Sequence, residues 1–174
     1  LFGSKLVHGQ IEAVPISYYG TWDRGGGVDD YADPKNDYII GIEVMMNWDD
    51  VQLAPPTGDP AIDYDFSAFQ NALQNAANHD KIVKLSINVG PDSPLWIYEN
   101  GVPNVEMQEV LKPKWSNWPH YLNENYKSYY FELLNQFSIF LRTLPDNLFS
   151  RIAFVQVKTG ATGDEDPYKG DPIN

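Results

Sequence analysis

A strand, a helix and a second strand follow one another between residues 38 and 98, and this order restricts the fold more than any other feature. Residues Ile39–Met46 form a short, almost continuous apolar run, which is typical of a strand buried in a parallel sheet. Residues Lys81–Val89 form a second β-rich run. Because a helix lies between them, the two strands are expected to be parallel and joined by a right-handed crossover.

The helix between these strands is predicted from the spacing of its apolar residues. It follows a turn rich in Pro and Gly and opens at Ser67, where Ser67 and Gln70 have the spacing of a capping box. Its apolar residues recur with a period near 3.6, which places them on one buried stripe. That stripe consists of Phe66, Phe69, Leu73 and Ala76 or Ala77.

The remaining sequence repeats this alternation of strands and helices. Ile11–Tyr19 is predicted as a first strand, although Pro15 suits a strand start or edge better than a strand centre. After an irregular, Pro-rich stretch, a long helix is predicted at Asn123–Thr143 and a fourth strand at Arg151–Val157. We therefore predict a single α/β domain with four strands.

Charge and composition exclude several classes of function. The formal net charge of the 174 residues is −12, which opposes binding to nucleic acid and to the anionic surface of a membrane. The sequence has no Cys and therefore has neither disulfide bonds nor thiolate metal sites. No apolar run approaches the roughly 18 residues that span a bilayer. We expect a soluble protein without nucleic-acid or membrane partners.

Neither a nucleotide cofactor nor a metal ion is predicted. The Gly-rich segment Trp22–Asp30 lacks the spacing of a dinucleotide fingerprint and the Lys of a P-loop. The His residues are scattered, so a His metal site is not expected. Four Asp residues near this segment could hold a calcium ion, but a solvated acidic loop fits their spacing better. These residues are Asp29, Asp30, Asp33 and Asp37.

Several motifs along the chain occur in a characteristic order. Gly41–Gln52 contains an apolar strand that ends near a Trp, Asp63–Phe66 leads into a helix, and Ser93–Trp96 follows the next strand. This order resembles the second and third βα units of clan A glycoside hydrolases, in particular the family 42 β-galactosidases and their relatives. The resemblance implies the N-terminal half, strands 1–4, of a (β/α)8 TIM barrel, whose active site lies at the carboxyl ends of the strands.

A complete barrel of this kind contains about 250 residues, and the present sequence is expected to supply four of its eight strands. An isolated half-barrel would leave strand edges unpaired. We therefore expect residues 1–174 to be one partial domain, with the rest of the barrel supplied by the same gene or by a partner chain.

The resemblance also implies an activity, the hydrolysis of β-glycosidic bonds in a polysaccharide or oligosaccharide, with galactose-configured sugars favoured. Retaining enzymes use two carboxyl groups about 5 Å apart. The clan usually places an Asn-Glu pair at the end of strand four, whereas this strand ends in Val157–Gly160. Glu165 is therefore the expected general acid/base and Asp164 the second choice. The nucleophile is expected beyond residue 174, so the isolated chain is expected to be inactive.

Six further residues are expected to bind the sugar if the resemblance holds. Three Trp rings can stack on pyranose faces, and three polar side chains near the strand ends can bind hydroxyl groups. For Trp48 and Trp96, packing in the core is the competing interpretation, and Glu165 could equally be a solvated turn residue. The six residues are Trp48, Trp96, Trp115, Asn47, Asp49 and Asn88.

Two other functions are compatible with the sequence. The first is a barrel that binds glycan without hydrolysing it. The second is an α/β module for a nucleotide or a protein partner, although no phosphate-binding loop is evident. Aromatic residues make up 14% of the chain, and with the acidic charge this favours an enzyme that is secreted or periplasmic and degrades polysaccharide.

Overall fold

A four-stranded, all-parallel β-sheet organises the described part of the chain, and helices alternate with its strands. The computed structural model describes residues 18–24, 37–107, 117–158, 168 and 172–173. The strands are β1 (Thr21–Asp23), β2 (Ile39–Asn47), β3 (Ile82–Asn88) and β4 (Ile152–Gln156). They lie in the spatial order β1, β2, β3, β4, and each is parallel to its neighbour. The predicted α/β class is confirmed.

Helices connect the strands, and the two long helices pack on one face of the sheet. In chain order they are α1 (Trp48–Val51), α2 (Pro60–Asp63), α3 (Ser67–Asn78), α4 (Trp96–Glu99), α5 (Glu124–Thr143) and α6 (Asp146–Phe149), with a 3-10 turn at Gly90–Asp92. One buried core joins α3 and α5 to the sheet face that carries Val44 and Leu85. Right-handed crossovers between strands in sequential order explain why both long helices share this face.

The predicted helix α3 is confirmed, but its N-terminus is stabilised differently from the prediction. Phe69 and Leu73 are fully buried, as the helical spacing indicated. The prediction of a capping box at Ser67 is wrong. The N-cap residue is Phe66, whose side chain makes no capping hydrogen bond. Asp65 instead accepts a hydrogen bond from the backbone N–H of Ser67 at 2.9 Å. This carboxylate satisfies one of the free N–H groups at the helix start.

The first strand also differs from the prediction. Two of the three residues of β1, Trp22 and Asp23, were assigned to the Gly-rich loop, and residues 11–17, most of the predicted strand, lie outside the described residues. The Trp22 ring packs over Gly41 of β2, where an added Cβ would come within 2.5 Å of the ring. Glycine therefore permits a close contact that no side-chain pattern reveals. The other three strands and the long helix match the predictions to within one residue at each end.

Candidate functional site

The sheet face opposite the helices carries polar and charged side chains. Alternate residues along a strand point to opposite faces of the sheet. The residues between the core positions of β2 and β3 therefore share a second face, and most of them are half-buried. They are Glu43, Met45 and Asn47 on β2 and Lys84, Ser86 and Asn88 on β3.

Three consecutive strands bring polar side chains together at the carboxyl-end rim of the sheet. Asn47 ends β2, Asn88 ends β3, and Lys158 lies two residues beyond β4. The Lys158 ammonium donates a hydrogen bond to Asn88 Oδ1 at 2.5 Å, and Asn88 Nδ2 donates one to Asn47 Oδ1 at 3.0 Å. We call these three side chains the amide relay. Two of its members, Asn47 and Asn88, are residues that the sequence analysis proposed for sugar binding.

Lys158 is buried at this rim, which is rare for a lysine. The residue is 4% exposed. Its ammonium lies 3.5 Å from Met45 Sδ, and its backbone carbonyl accepts a hydrogen bond from the Tyr130 hydroxyl. Burial lowers the pKa of Lys158, and the negative charge of Glu43 acts in the opposite direction. The lysine is thus held by neutral groups and contacts Asn88, which in turn contacts Asn47.

A second charged cluster lies nearer the middle of the same face. Glu43 binds Lys84 at 2.7 Å and Arg24 at 3.4 Å between the nearest charged atoms. The Glu43 side chain is mostly buried, so water screens its pair with Lys84 less than it screens a surface ion pair. These three residues border a cavity of about 300 Å³, whose other walls are Trp22, Asp23 and Phe154.

Trp48 and Trp96 pack in the core and present little ring surface to a ligand. Trp48 is fully buried and Trp96 is 6% exposed. The ring centroid of Trp48 lies 5.9 Å from that of Tyr126, and the Trp96 centroid lies 5.0 Å from that of Tyr129. Both tyrosines belong to α5, which therefore covers the two indoles. The expected stacking on sugar does not fit these positions, and core packing, the competing interpretation, does.

Gln52 joins the two indoles. Its side chain is buried, and its Oε1 atom accepts a hydrogen bond from Trp48 Nε1 at 2.9 Å. Its backbone carbonyl accepts one from Trp96 Nε1 at 3.3 Å. Burial raises the pKa of Tyr64 to about 12, and a hydrogen bond with the Gln52 side chain opposes that rise. Gln52 therefore connects the segments that follow β2 and β3, a structural role that the sequence did not predict.

The remaining predicted residues include one that the structure describes. Asp49 lies in α1 beside the rim and is exposed. Asp164, Glu165 and Trp115 lie outside the described residues, so their predicted roles stay predictions. The same holds for the three acidic residues Asp29, Asp30 and Asp33.

Lys158 is the member of the relay that sequence reasoning missed. The sequence feature that could have identified it is a lysine directly after an apolar strand. The glycoside hydrolases that the sequence resembles usually have an Asn-Glu pair at the end of that strand. Glu43 and Lys84 carried a similar signal, because each interrupts an apolar run and the two strands pair them in register. Charged residues inside otherwise apolar strands therefore marked the polar face.

Comparisons with known proteins leave the family of the chain undetermined. No protein-family model matches the sequence, and no curated protein is significantly similar to it. Within the described ranges, no group of three or more His, Cys, Asp or Glu side chains could hold a metal ion. None of the helices in these ranges is long and apolar enough to cross a membrane. The chemistry of the rim itself is thus the basis for a functional assignment.

Proposed function

We propose that the chain is one half of a (β/α)8 barrel that hydrolyses β-glycosidic bonds. The observation that carries this proposal is the meeting of Asn47, Asn88 and Lys158 at the carboxyl ends of three consecutive parallel strands. Barrels of this kind bind substrates at that rim, with residues from several strand ends. The sequential strand order also supports a barrel, because doubly wound sheets reverse their strand order and carry helices on both faces.

The outer side of β4 supports the half-barrel part of the proposal. Val155 and Val157 are 41% and 56% exposed. Together with Leu134 and Phe137 of α5 they border an apolar cavity of about 400 Å³. In a closed barrel the next strand and helix cover this position, so the exposed apolar surface fits a further βα unit packed beside β4.

Glu165 acts in this proposal as the general acid/base of a retaining mechanism. It follows Lys158 by seven residues, a length of chain that spans at most about 25 Å. Glu165 protonates the departing glycosidic oxygen and later removes a proton from water. A second carboxylate, from the other half of the barrel, attacks the anomeric carbon and forms the glycosyl-enzyme. Asp164 is the alternative acid.

The rim amides bind sugar hydroxyl groups in this proposal. Asn47 and Asn88 are half-buried, and amides both donate and accept hydrogen bonds, as hydroxyl groups do. Asp49 and Trp115 are the further candidates for contact with the sugar. Galactose-configured oligosaccharides are the first substrates to assay, because the resemblance is to β-galactosidases. An acidic, aromatic-rich chain also suits a secreted or periplasmic enzyme that degrades polysaccharide.

Replacing Glu165 by Gln in the protein with its complete barrel tests the proposal. We expect turnover of a natural oligosaccharide to fall by about 10²- to 10⁴-fold, because protonation of the leaving group is lost. A substrate with an activated leaving group should keep its first step, since that group departs without an acid. Asp166→Asn changes the carboxylate next to Glu165 in the sequence and is the matched control. Unchanged turnover of the oligosaccharide by Glu165→Gln would exclude Glu165 from the role.

A glycan-binding barrel without hydrolysis is the second candidate. It is favoured by Lys158, which stands near the end of strand four where the resembling family has an Asn-Glu pair. Calorimetric titration of the complete protein with galactose-containing oligosaccharides, followed by product analysis, distinguishes the two functions. Binding without product, in the wild type and in Glu165→Gln alike, would favour the binding module.

A further inference from the structure

The charge of Lys158 determines how both Asn side chains of the amide relay are oriented. A lysine ammonium has three N–H donors and no acceptor, so Asn88 must turn its Oδ1 atom towards it. The Nδ2 group of Asn88 then faces Asn47, which must accept with its own Oδ1 atom. The Nδ2 group of Asn47 is left directed away from the relay. One buried cation therefore fixes the polarity of both amides.

Each amide oxygen of the relay already accepts one hydrogen bond, whereas Asn47 keeps a spare donor. The side-chain oxygens of Asn47 and Asn88 each accept a hydrogen bond within the relay. In the part of the chain that the structure describes, the Nδ2 group of Asn47 has no acceptor. Besides its hydrogen bond to Asn88, the ammonium of Lys158 has a thioether as its neighbour. The rim therefore presents hydrogen-bond donors to a ligand.

Electrostatics favour the same kind of ligand group. The Lys158 ammonium contacts an amide and a thioether. Glu43 and, less strongly, Asp92 are the described carboxylates whose charges act on Lys158, and Glu43 is already bound by Lys84 and Arg24. The cation of the relay thus keeps much of its attraction for an incoming anion, which would meet the spare Nδ2 donor of Asn47.

Anionic oxygens match this rim better than neutral hydroxyl groups do. Sulfate and carboxylate oxygens accept hydrogen bonds without donating any, whereas a hydroxyl group also needs an acceptor. We propose that the amide relay recognises an anionic substituent of the glycan, a sulfate or a carboxylate group, which contacts Asn47 Nδ2. Lys158 is a positioning residue in this scheme, because it is buried behind the amides. The inference rests on the proposed function, which supplies the glycan.

Asn47→Asp tests this inference with almost no change in shape. One carboxylate oxygen can still accept from Asn88, while the other replaces the N–H donors by a negatively charged acceptor. We expect the variant to lose about 10- to 100-fold in affinity for an oligosaccharide that carries sulfate or uronate groups. Affinity for the neutral oligosaccharide of the same backbone should fall by a smaller factor, because a sugar hydroxyl group, unlike an anionic oxygen, can donate a hydrogen bond to the new carboxylate. Isothermal titration of the complete protein with neutral, sulfated and uronate-containing oligosaccharides measures all three affinities.

Lys158→Met provides a second, independent test of the inference. Met has a similar length but neither a charge nor a strong donor, so both amides become free to rotate. We expect this variant to lose the preference for anionic oligosaccharides, whereas Lys127→Met, at a partly exposed lysine of α5 that pairs with Glu124, should keep it. Rising salt should weaken the binding of anionic oligosaccharides to the wild type and have little effect on Lys158→Met.

The outcomes separate this inference from the proposed function. Equal affinity of the wild type for neutral and anionic oligosaccharides would overturn the inference and leave the glycosidase proposal intact. Failure of all three oligosaccharides to bind would overturn both. The more tightly bound of the two anionic oligosaccharides identifies the substituent. Melting curves of each variant separate a loss of recognition from a loss of folding, and the salt dependence of the wild type requires no variant.

Discussion

Replacement of Gln52 by Leu would show whether the segments after β2 and β3 depend on one buried amide. The Oε1 atom of Gln52 accepts the Trp48 indole N–H at 2.9 Å, and both side chains are buried. Leu has a similar volume, so the change removes hydrogen-bonding atoms without opening a large cavity. The Trp48 N–H then stays in the core without this acceptor.

The size of the effect follows from the contacts that are lost. A buried donor without its acceptor costs about 1–3 kcal/mol. The bond from Trp96 is kept, because its acceptor is the backbone carbonyl of Gln52. We therefore expect Gln52→Leu to lower the free energy of unfolding by about 1–3 kcal/mol.

Urea unfolding followed by circular dichroism measures this change, with Trp48→Phe as the partner variant. Trp48→Phe removes the donor, so the double variant should be about 1–2 kcal/mol more stable than the sum of the single effects indicates. Gln70→Leu, at an exposed position of α3, is the matched control and should change stability by less than about 0.5 kcal/mol. A cost for Gln52→Leu no larger than that of the control, or strictly additive single effects, would refute the reasoning.

Two further predictions concern acid stability and packing on the polar sheet face. Burial raises the pKa of Asp63, but hydrogen bonds from Thr57 and from the Gly58 N–H lower it overall. The ionised Asp63 side chain stabilises the fold above its ordinary pKa of 3.8, and this contribution is lost as the pH falls through its lower pKa in the folded protein. Asp63→Asn should therefore flatten the fall in melting temperature at acid pH. An identical pH profile for the variant and the wild type would contradict this. Gly41→Ala should lower the free energy of unfolding by about 1–3 kcal/mol, because the new Cβ would lie 2.5 Å from the Trp22 ring. Urea unfolding should show that Gly41→Ala destabilises a Trp22→Leu background less than it destabilises the wild type. An equal loss of stability in both would rule out the contact with the Trp22 ring as its cause.

Local patterns predicted most of the secondary structure, because these elements depend on the period of their apolar residues. The stripe of α3 and the apolar runs of β2 and β3 each supply side chains to one core. β1 was missed, because three residues are too few to show an alternation of apolar and polar side chains. Its pairing with β2 defines it as a strand. The start of α3 shows the same limit. Asp65 and Ser67 are both residue types that cap helices, and the path of the backbone selects Asp65.

The sequence by itself determined the alternation of strands and helices and the presence of charged residues within apolar strands. Tertiary structure decided which of those residues meet. Lys158 and Asn88 are 70 positions apart and share a hydrogen bond, because parallel strands in sequential order align their carboxyl ends. Trp48 has the sequence context of a rim residue, yet it packs in the core because α5 places Tyr126 against it. Strand order, register and helix packing set these partners, and a linear pattern of residues does not contain them.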